Sequence, residues 1–148
     1  MKNRLLRILN IREDEAWLVS NLFWLQFFQG FAITIFWTVG LALFLEKFQP
    51  VYLPKAYLFS ALLLWMAGLV YSKFEHAFSV KKLALGVILF IGISILLYSI
   101  GLLATHSTVL IFLIFCWYYV IYLLGNLEFW GVAALLFDIR QSKRLFTM

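Results

Sequence analysis

The chain has 148 residues, of which 65% are hydrophobic, 20% aromatic and only 13% charged. Water-soluble domains average about 45–50% apolar and about 25% charged residues, so a soluble enzyme or soluble binding module is excluded and an integral membrane protein is indicated. The net charge of +5 does not mark a nucleic-acid binder, because the basic residues flank apolar runs and form no Lys/Arg cluster interleaved with aromatics.

Residues 1–16 read as a cytoplasmic amphipathic arm. Leu5, Ile8 and Leu9 share one helical face opposite Arg4 and Arg7, the pattern of a short interfacial helix. It is not a cleavable signal peptide, since Glu13-Asp14-Glu15 intervenes and no small-residue cleavage site follows. The acidic triplet sits where the first apolar run begins, favourably placed against a helix N-terminal dipole.

Residues 17–137 hold the runs of about 20 apolar residues that a helical membrane span needs. They lie at about 17–44, 53–71, 83–105 and 108–137. The first and last are longer than a bilayer requires, which implies tilt or ends that project into the headgroups. In the first connector Pro54 suits the first turn of a following helix. Ser72 to Lys82 carries the second connector, and His106-Ser107 makes a tight third one, so spans three and four should pack as an antiparallel hairpin. Residues 138–148 read as the start of a cytoplasmic loop or tail. The expected fold is an all-α membrane protein of four transmembrane helices.

Orientation follows from the basic residues. Lys2, Arg4, Arg7 and Arg12 in the arm, Lys73, Lys81 and Lys82 in the second connector, and Arg140, Lys143 and Arg144 in the tail fall on one side of a four-span arrangement. Lys47 and Lys55 are left on the other. Both termini are therefore expected in the cytoplasm, in a plasma or bacterial inner membrane.

Within the spans, polar residues stand out against an apolar background. In the first, Gln26, Gln29, Gly30, Thr34, Trp37 and Thr38 recur at three- and four-residue spacing and make a polar, small-residue stripe. Lipid offers an amide no partner, so this face should turn toward protein or a water-filled cavity. It either holds the bundle together by interhelical hydrogen bonds or lines a solute pathway. Span three is rich in small residues (Gly86, Gly92, Ser94, Ser99, Gly101), which predicts close helix approach. In span four Glu128 is the one acidic residue within these runs, with Asn126 two positions before it and Tyr118, Tyr122 and Gly125 at helical spacing. A charged side chain at the centre of a span costs about 2.5–3.5 kcal/mol on insertion scales. Glu128 is thus a candidate for proton coupling or for countercharge to a cationic group; the alternatives are pairing with a basic side chain or a position near the headgroups. Trp65, Trp117, Tyr118 and Tyr119 could stack on a ring, but mid-span aromatics more often pack and span-end ones form interfacial belts.

Enzymatic chemistry finds no support. No nucleophile–base set or glycine-rich phosphate loop occurs, and His76 and His106 lack a second ligand at metal-binding spacing, so no enzyme activity, cofactor or metal is expected. The single cysteine, Cys116, rules out an intramolecular disulfide and reads as a packing residue.

Glu128-Phe129-Trp130-Gly131, followed by Phe137-Asp138-Ile139-Arg140-Gln141-Ser142-Lys143-Arg144-Leu145-Phe146, resembles the end of the fourth span and the following cytoplasmic loop of the ATP/ADP translocase (nucleotide transporter) branch of the major facilitator superfamily. There an acidic residue and a Trp-Gly pair precede an Ala-Lys-Arg-aromatic stretch; Glu128, Trp130, Gly131, Lys143 and Arg144 are the matching positions. The resemblance implies that the four spans are the first part of a facilitator-type half-bundle, in a transporter of about twelve spans working by alternating access. It also implies a cytoplasmic loop motif at Asp138, Arg140, Lys143 and Arg144, and further spans of the same protein or other subunits as partners.

Three functions remain open on the sequence. One is the N-terminal portion of a secondary transporter for a small solute, with Glu128, Asn126, Gln26, Gln29, Thr34 and Trp37 as candidate pathway or coupling residues. The others are a complete small four-helix transporter that works as an oligomer, and a non-transporting membrane scaffold subunit. The expected partners are the lipid bilayer and a small-molecule solute, with no nucleic acid.

Overall fold

The computed structural model describes residues 16–105 and 107–137. Within them the chain is helical almost throughout, as a backbone in hydrocarbon must be to satisfy its own N–H and C=O groups. Helix α1 spans Ala16–Lys47, α2 Leu53–Ala77, α3 Val80–Thr105 and α4 Thr108–Leu136, each long and apolar enough to cross a membrane. The protein is an all-α integral membrane protein. The amphipathic arm and the loop motif at Asp138, Arg140, Lys143 and Arg144 lie outside the described residues, as does His106.

A single 3-10 turn, Pro50–Tyr52, links α1 to α2, and Pro54 stands in the first turn of α2, where its missing N–H leaves no hydrogen bond unmade. The helices outrun the apolar stretches. Helix α2 continues six residues beyond Tyr71, and α3 already includes Lys81 and Lys82, so only Phe78 and Ser79 break the helical path between them. The physical reason is that Ser72 to Ala77 contains no glycine or proline, and nothing in a polar sequence stops a helix once it emerges from hydrocarbon. The turn closes with the Phe78 N–H donating to the Phe74 carbonyl at 2.9 Å.

Helix α4 is the centre of the bundle. Helices α1, α2 and α3 each pack along it and barely meet one another. Of the most apolar stretch of α4, 44% is buried, against 11–17% in the others. Their outward faces carry exposed Phe, Trp and Leu side chains, Phe28, Trp65 and Leu103 among them, as a lipid-facing surface requires. Two clusters make the core. Ile33, Val87, Ile91, Val120, Ile121 and Leu124 join α1, α3 and α4, while Phe44, Ala56, Phe115 and Cys116 join α1, α2 and α4. Phe115 is enclosed by the rings of Trp37, Phe44, Tyr57 and Tyr119 at 4.5–6.2 Å. Cys116 donates a weak S–H bond at 3.6 Å to the Ala56 carbonyl, which also accepts from Ser60 at 2.7 Å; its role is packing between α4 and α2.

Helices α3 and α4 form the antiparallel pair that the short connector implies, with Gly101 against Leu110 beside the turn. Ser94 is also buried, donating to the Ile91 carbonyl of its own helix at 2.9 Å, but the remaining small residues of α3 behave differently from expectation. Gly86 and Gly92 have no neighbour within 4 Å of where a Cβ would stand, and Ser99 is exposed and bonds its own helix. The close approaches occur instead at Gly40, against Ile114 and the Phe115 backbone, and at Gly125, against Gln29 and Ile33. A glycine brings helices together only where its face already points at a neighbour, and the interior of this bundle is the surface of α4.

Candidate functional site

Gly125 and Glu128 are three residues apart on α4, one helical turn, and so lie on adjacent parts of one face. Gly125 faces α1. A Cβ there would stand 2.5 Å from Gln29 Nε2 and 3.4 Å from Ile33 Cδ1, so the missing side chain is the space that the Gln29 carboxamide fills. That amide brings its polar end beside Glu128.

Glu128 is 2% exposed, the one charged residue among the buried side chains described. The Gln29 carboxamide is its nearest polar neighbour on α1, but the geometry falls short of a hydrogen bond, and neither Glu128 oxygen has a partner. On the α2 side, Tyr71 lies within electrostatic reach of the carboxyl, and Glu75 is one turn further along that helix. Among the described residues no basic side chain pairs with Glu128; the ion pair present joins Lys47 and Glu46 at 3.4 Å, on the exposed end of α1. Pairing with a basic side chain, one of the bland alternatives, is therefore not realised among these helices.

The depth of the carboxyl follows from its neighbours. Gly131 faces Val80, the first residue of α3, at 3.7 Å from a virtual Cβ. Glu128, three residues earlier, is about 4.5 Å deeper along the axis. It lies inside the bundle but toward the end that carries Lys81 and Lys82.

Beside this carboxyl, α1 and α4 enclose a cleft of about 200 Å³ lined by Gln26, Gln29, Gly30, Ile33, Thr34, Tyr118, Tyr122, Gly125 and Asn126. Gln26, Gln29, Thr34 and Asn126, read separately from two distant stretches of sequence, thus share one cavity wall; Glu128 is not itself a lining residue but lies behind that wall, against the Gln29 carboxamide. The hydroxyls and the Asn126 amide are already engaged locally. Thr34 donates to the Gly30 carbonyl at 2.7 Å, Thr38 to the Thr34 carbonyl at 2.9 Å, and Asn126 Nδ2 to the Tyr122 carbonyl at 2.8 Å. The Gln26 and Gln29 Oε1 atoms, by contrast, are buried without a partner. Trp37 is not in the cleft. It packs on Phe115, Tyr118 and Tyr119, with the Tyr118 ring at 4.4 Å, so it braces a cleft wall rather than lining it. Trp117 packs against Phe90 and Tyr98, and Trp65 faces outward.

Ile33 and Tyr71 are the site neighbours that sequence reasoning did not single out. Ile33 falls on the face of the α1 polar stripe, four residues after Gln29 and four before Trp37, so helical spacing could have found it, whereas the apolar run of α2 that ends at Tyr71 shows no such periodic signal.

A second cavity of about 610 Å³ lies on the opposite side of α4, where α2 and α3 diverge. Its walls are Leu63, Met66, Ala67, Val70, Tyr71 and Phe74 of α2 and Leu83, Gly86, Val87 and Phe90 of α3, with Trp117, Val120 and Leu124 as its floor and Lys82 as its one charged lining residue. The polar cleft is thus built by α1 and α4, while Tyr71 of α2, within electrostatic reach of Glu128, lines this second cavity.

Fold and site together define an all-α integral membrane protein with a buried, unpaired carboxyl at an amide-lined cleft. Comparison with protein-family models, with curated proteins and with solved structures returned no match.

Proposed function

We propose that this protein is part of a secondary transporter of facilitator type, and that Glu128 with the α1–α4 cleft is its coupling site. The observation that carries the reading is a carboxyl 2% exposed, with neither oxygen partnered, beside a polar cleft and in a helix with no other charged residue. A purely structural carboxyl in hydrocarbon is expected to be paired, because an uncompensated one is costly. One whose partner comes and goes, whether proton or solute, is the arrangement found in membrane ion and solute pathways. The resemblance of Glu128, Trp130, Gly131, Lys143 and Arg144 to the ATP/ADP translocase branch supports the same assignment. Alternating access then takes place between these helices and further ones, with α4, packed on all three of its neighbours, as the element that transmits movement.

The test uses the full reading frame in proteoliposomes containing an entrapped pH-reporting dye, offered radiolabelled anionic, neutral and cationic small solutes in turn. Uptake of at least one solute is expected to depend on the pH gradient, and Glu128→Gln should remove that dependence while insertion and helix content stay normal. Uptake and pH response unchanged in Glu128→Gln would leave Glu128 a structural residue and remove the proposal.

A further inference from the structure

The buried polar atoms without a partner on the α1–α4 side of the bundle are all oxygens: Gln26 Oε1, Gln29 Oε1 and both oxygens of Glu128. The fifth such atom, Trp117 Nε1, belongs to a side chain lining the apolar groove on the other side of α4. A site of unpaired acceptors with one formal negative charge is complementary to a ligand that donates hydrogen bonds and carries positive charge. Turning a carboxamide over would exchange one oxygen for an NH₂ group, but the Glu128 pair stays the only charge, and it is an acceptor when ionised. The Tyr118 and Tyr122 rings on the cleft wall are stacked at 6.0 Å and add π-faces that attract cations. Drug-sized ligands occupy pockets of about 300–1,000 Å³, so a cleft of about 200 Å³ suits a smaller solute.

We infer that the α1–α4 site selects a small hydrogen-bond-donating organic cation, of the guanidinium or alkylammonium class, and exchanges it for a proton on Glu128. The inference rests on the coupling role proposed above for that residue and adds the class of solute and the direction of coupling. In a low-dielectric site one carboxylate balances one positive charge. When the cation enters, the carboxyl O–H bond breaks and the proton leaves; when the cation departs, a proton returns and the site is again neutral. The charged and titratable groups around Glu128 leave this balance intact. Helix α1 contributes only the Gln26 and Gln29 amides. Helix α2 contributes Tyr71, with Glu75 a turn away. Helix α3 has Lys81 and Lys82 exposed in its first turn, and Lys82 lines the separate groove.

The experiment uses the full-length protein and guanidinium as probe, an ion charged across the whole range in which carboxylates titrate in proteins. Equilibrium binding in detergent is measured with tetramethylammonium (charge without donors), urea (donors without charge) and ADP as comparisons. Proteoliposomes with an acidic interior and an entrapped pH dye are then given labelled guanidinium. Guanidinium should bind more tightly as pH rises and better than tetramethylammonium or urea, and its uptake should carry protons out. Glu128→Gln should weaken binding by about 30-fold or more, the loss typical of removing one member of a buried charge pair, and Glu128→Asp should retain part of it. Size-exclusion profile and helix content of both variants identify any that fail to fold, in which case Gln29→Leu, which removes an uncharged acceptor beside the carboxyl and keeps the charge, supplies the second reading through a smaller loss. Absence of guanidinium binding, binding insensitive to pH, or preferential binding of ADP or urea overturns the inference. If Glu128-dependent, proton-coupled uptake is then seen for an anion or neutral solute, the coupling role stands and only the cation assignment falls.

Discussion

At the scale of single residues, glycines on α1 and α4 have distinct roles that their sequence positions do not announce. Gly30 has open space around it, so Gly30→Ala meets no steric obstacle and should stabilise α1 by up to about 1 kcal/mol through helix propensity. Gly40→Ala places a Cβ 3.3 Å from Ile114 Cγ2, with the Phe115 backbone in ordinary contact at 3.9 Å; Ile114 is a buried, β-branched side chain with little room to give, and a loss of about 0.5–1.5 kcal/mol in reversible unfolding in mixed micelles is expected. Gly125→Ala is the informative change. Its Cβ collides with Gln29 Nε2, the far end of a flexible side chain, which can move. The fold should therefore survive within about 1 kcal/mol of the parent while the Gln29 carboxamide is pushed from Glu128. Coupling measured by the entrapped dye should fall with helix content unchanged; coupling that equals the parent's would show that Gln29 has no part in the site.

Among the elements, α4 could not be identified as the centre from sequence, although all four spans, the Pro54 helix start and the α3–α4 pairing could. Length, composition and connector spacing are enough for those features. Centrality requires knowing which faces are buried, and in hydrocarbon the lipid-facing side of a helix is as apolar as its interior. Phe28 and Phe115 are the same residue type in similar apolar surroundings, yet one is 62% exposed and the other wholly buried. The polar stripe of α1 was legible for the opposite reason, since an amide in lipid has one tolerable direction. Its partner on α4 was legible only as an isolated acid, because the Gly125 cavity that joins them is an absence of atoms. Phe115→Ala tests the hub. Truncating a buried Phe in water-soluble proteins costs about 3–5 kcal/mol. In a bilayer the transfer part of that cost largely disappears, and a loss of about 1–3 kcal/mol from packing alone is expected. Phe28→Ala, on the lipid face, should change the same unfolding free energy by less than about 0.5 kcal/mol. Equal effects at the two positions would mean that α4 is not the centre of the core.

For the molecule as a whole, the alternating direction of the helices sorts the charged ends. The start of α3 meets α4 at Gly131, so the α2–α3 turn, with Lys73, Lys81 and Lys82 around it, shares an end of the bundle with the C-terminal end of α4. The opposite end has the Pro50–Tyr52 turn, where Lys55 lies 5.3 Å from the Tyr52 ring and Lys47 is paired with Glu46. Basic residues are retained on the cytoplasmic side during insertion, and on that ground we propose a cytoplasmic α2–α3 turn. Two cysteine variants check this in intact cells, with Cys116 replaced by alanine to remove background. Gln49→Cys, in the exposed connector between α1 and α2, should react with a membrane-impermeant maleimide. Ser79→Cys, in the α2–α3 turn, should react only after the membrane is opened. The reverse pattern would invert the protein and, with it, the side from which protons reach Glu128. Because Glu128 lies only about 4.5 Å deeper than the first residue of α3, its exchange with bulk protons should follow the pH of the compartment facing that turn. In proteoliposomes of known orientation, acidifying that side should shift the coupled flux more than acidifying the other.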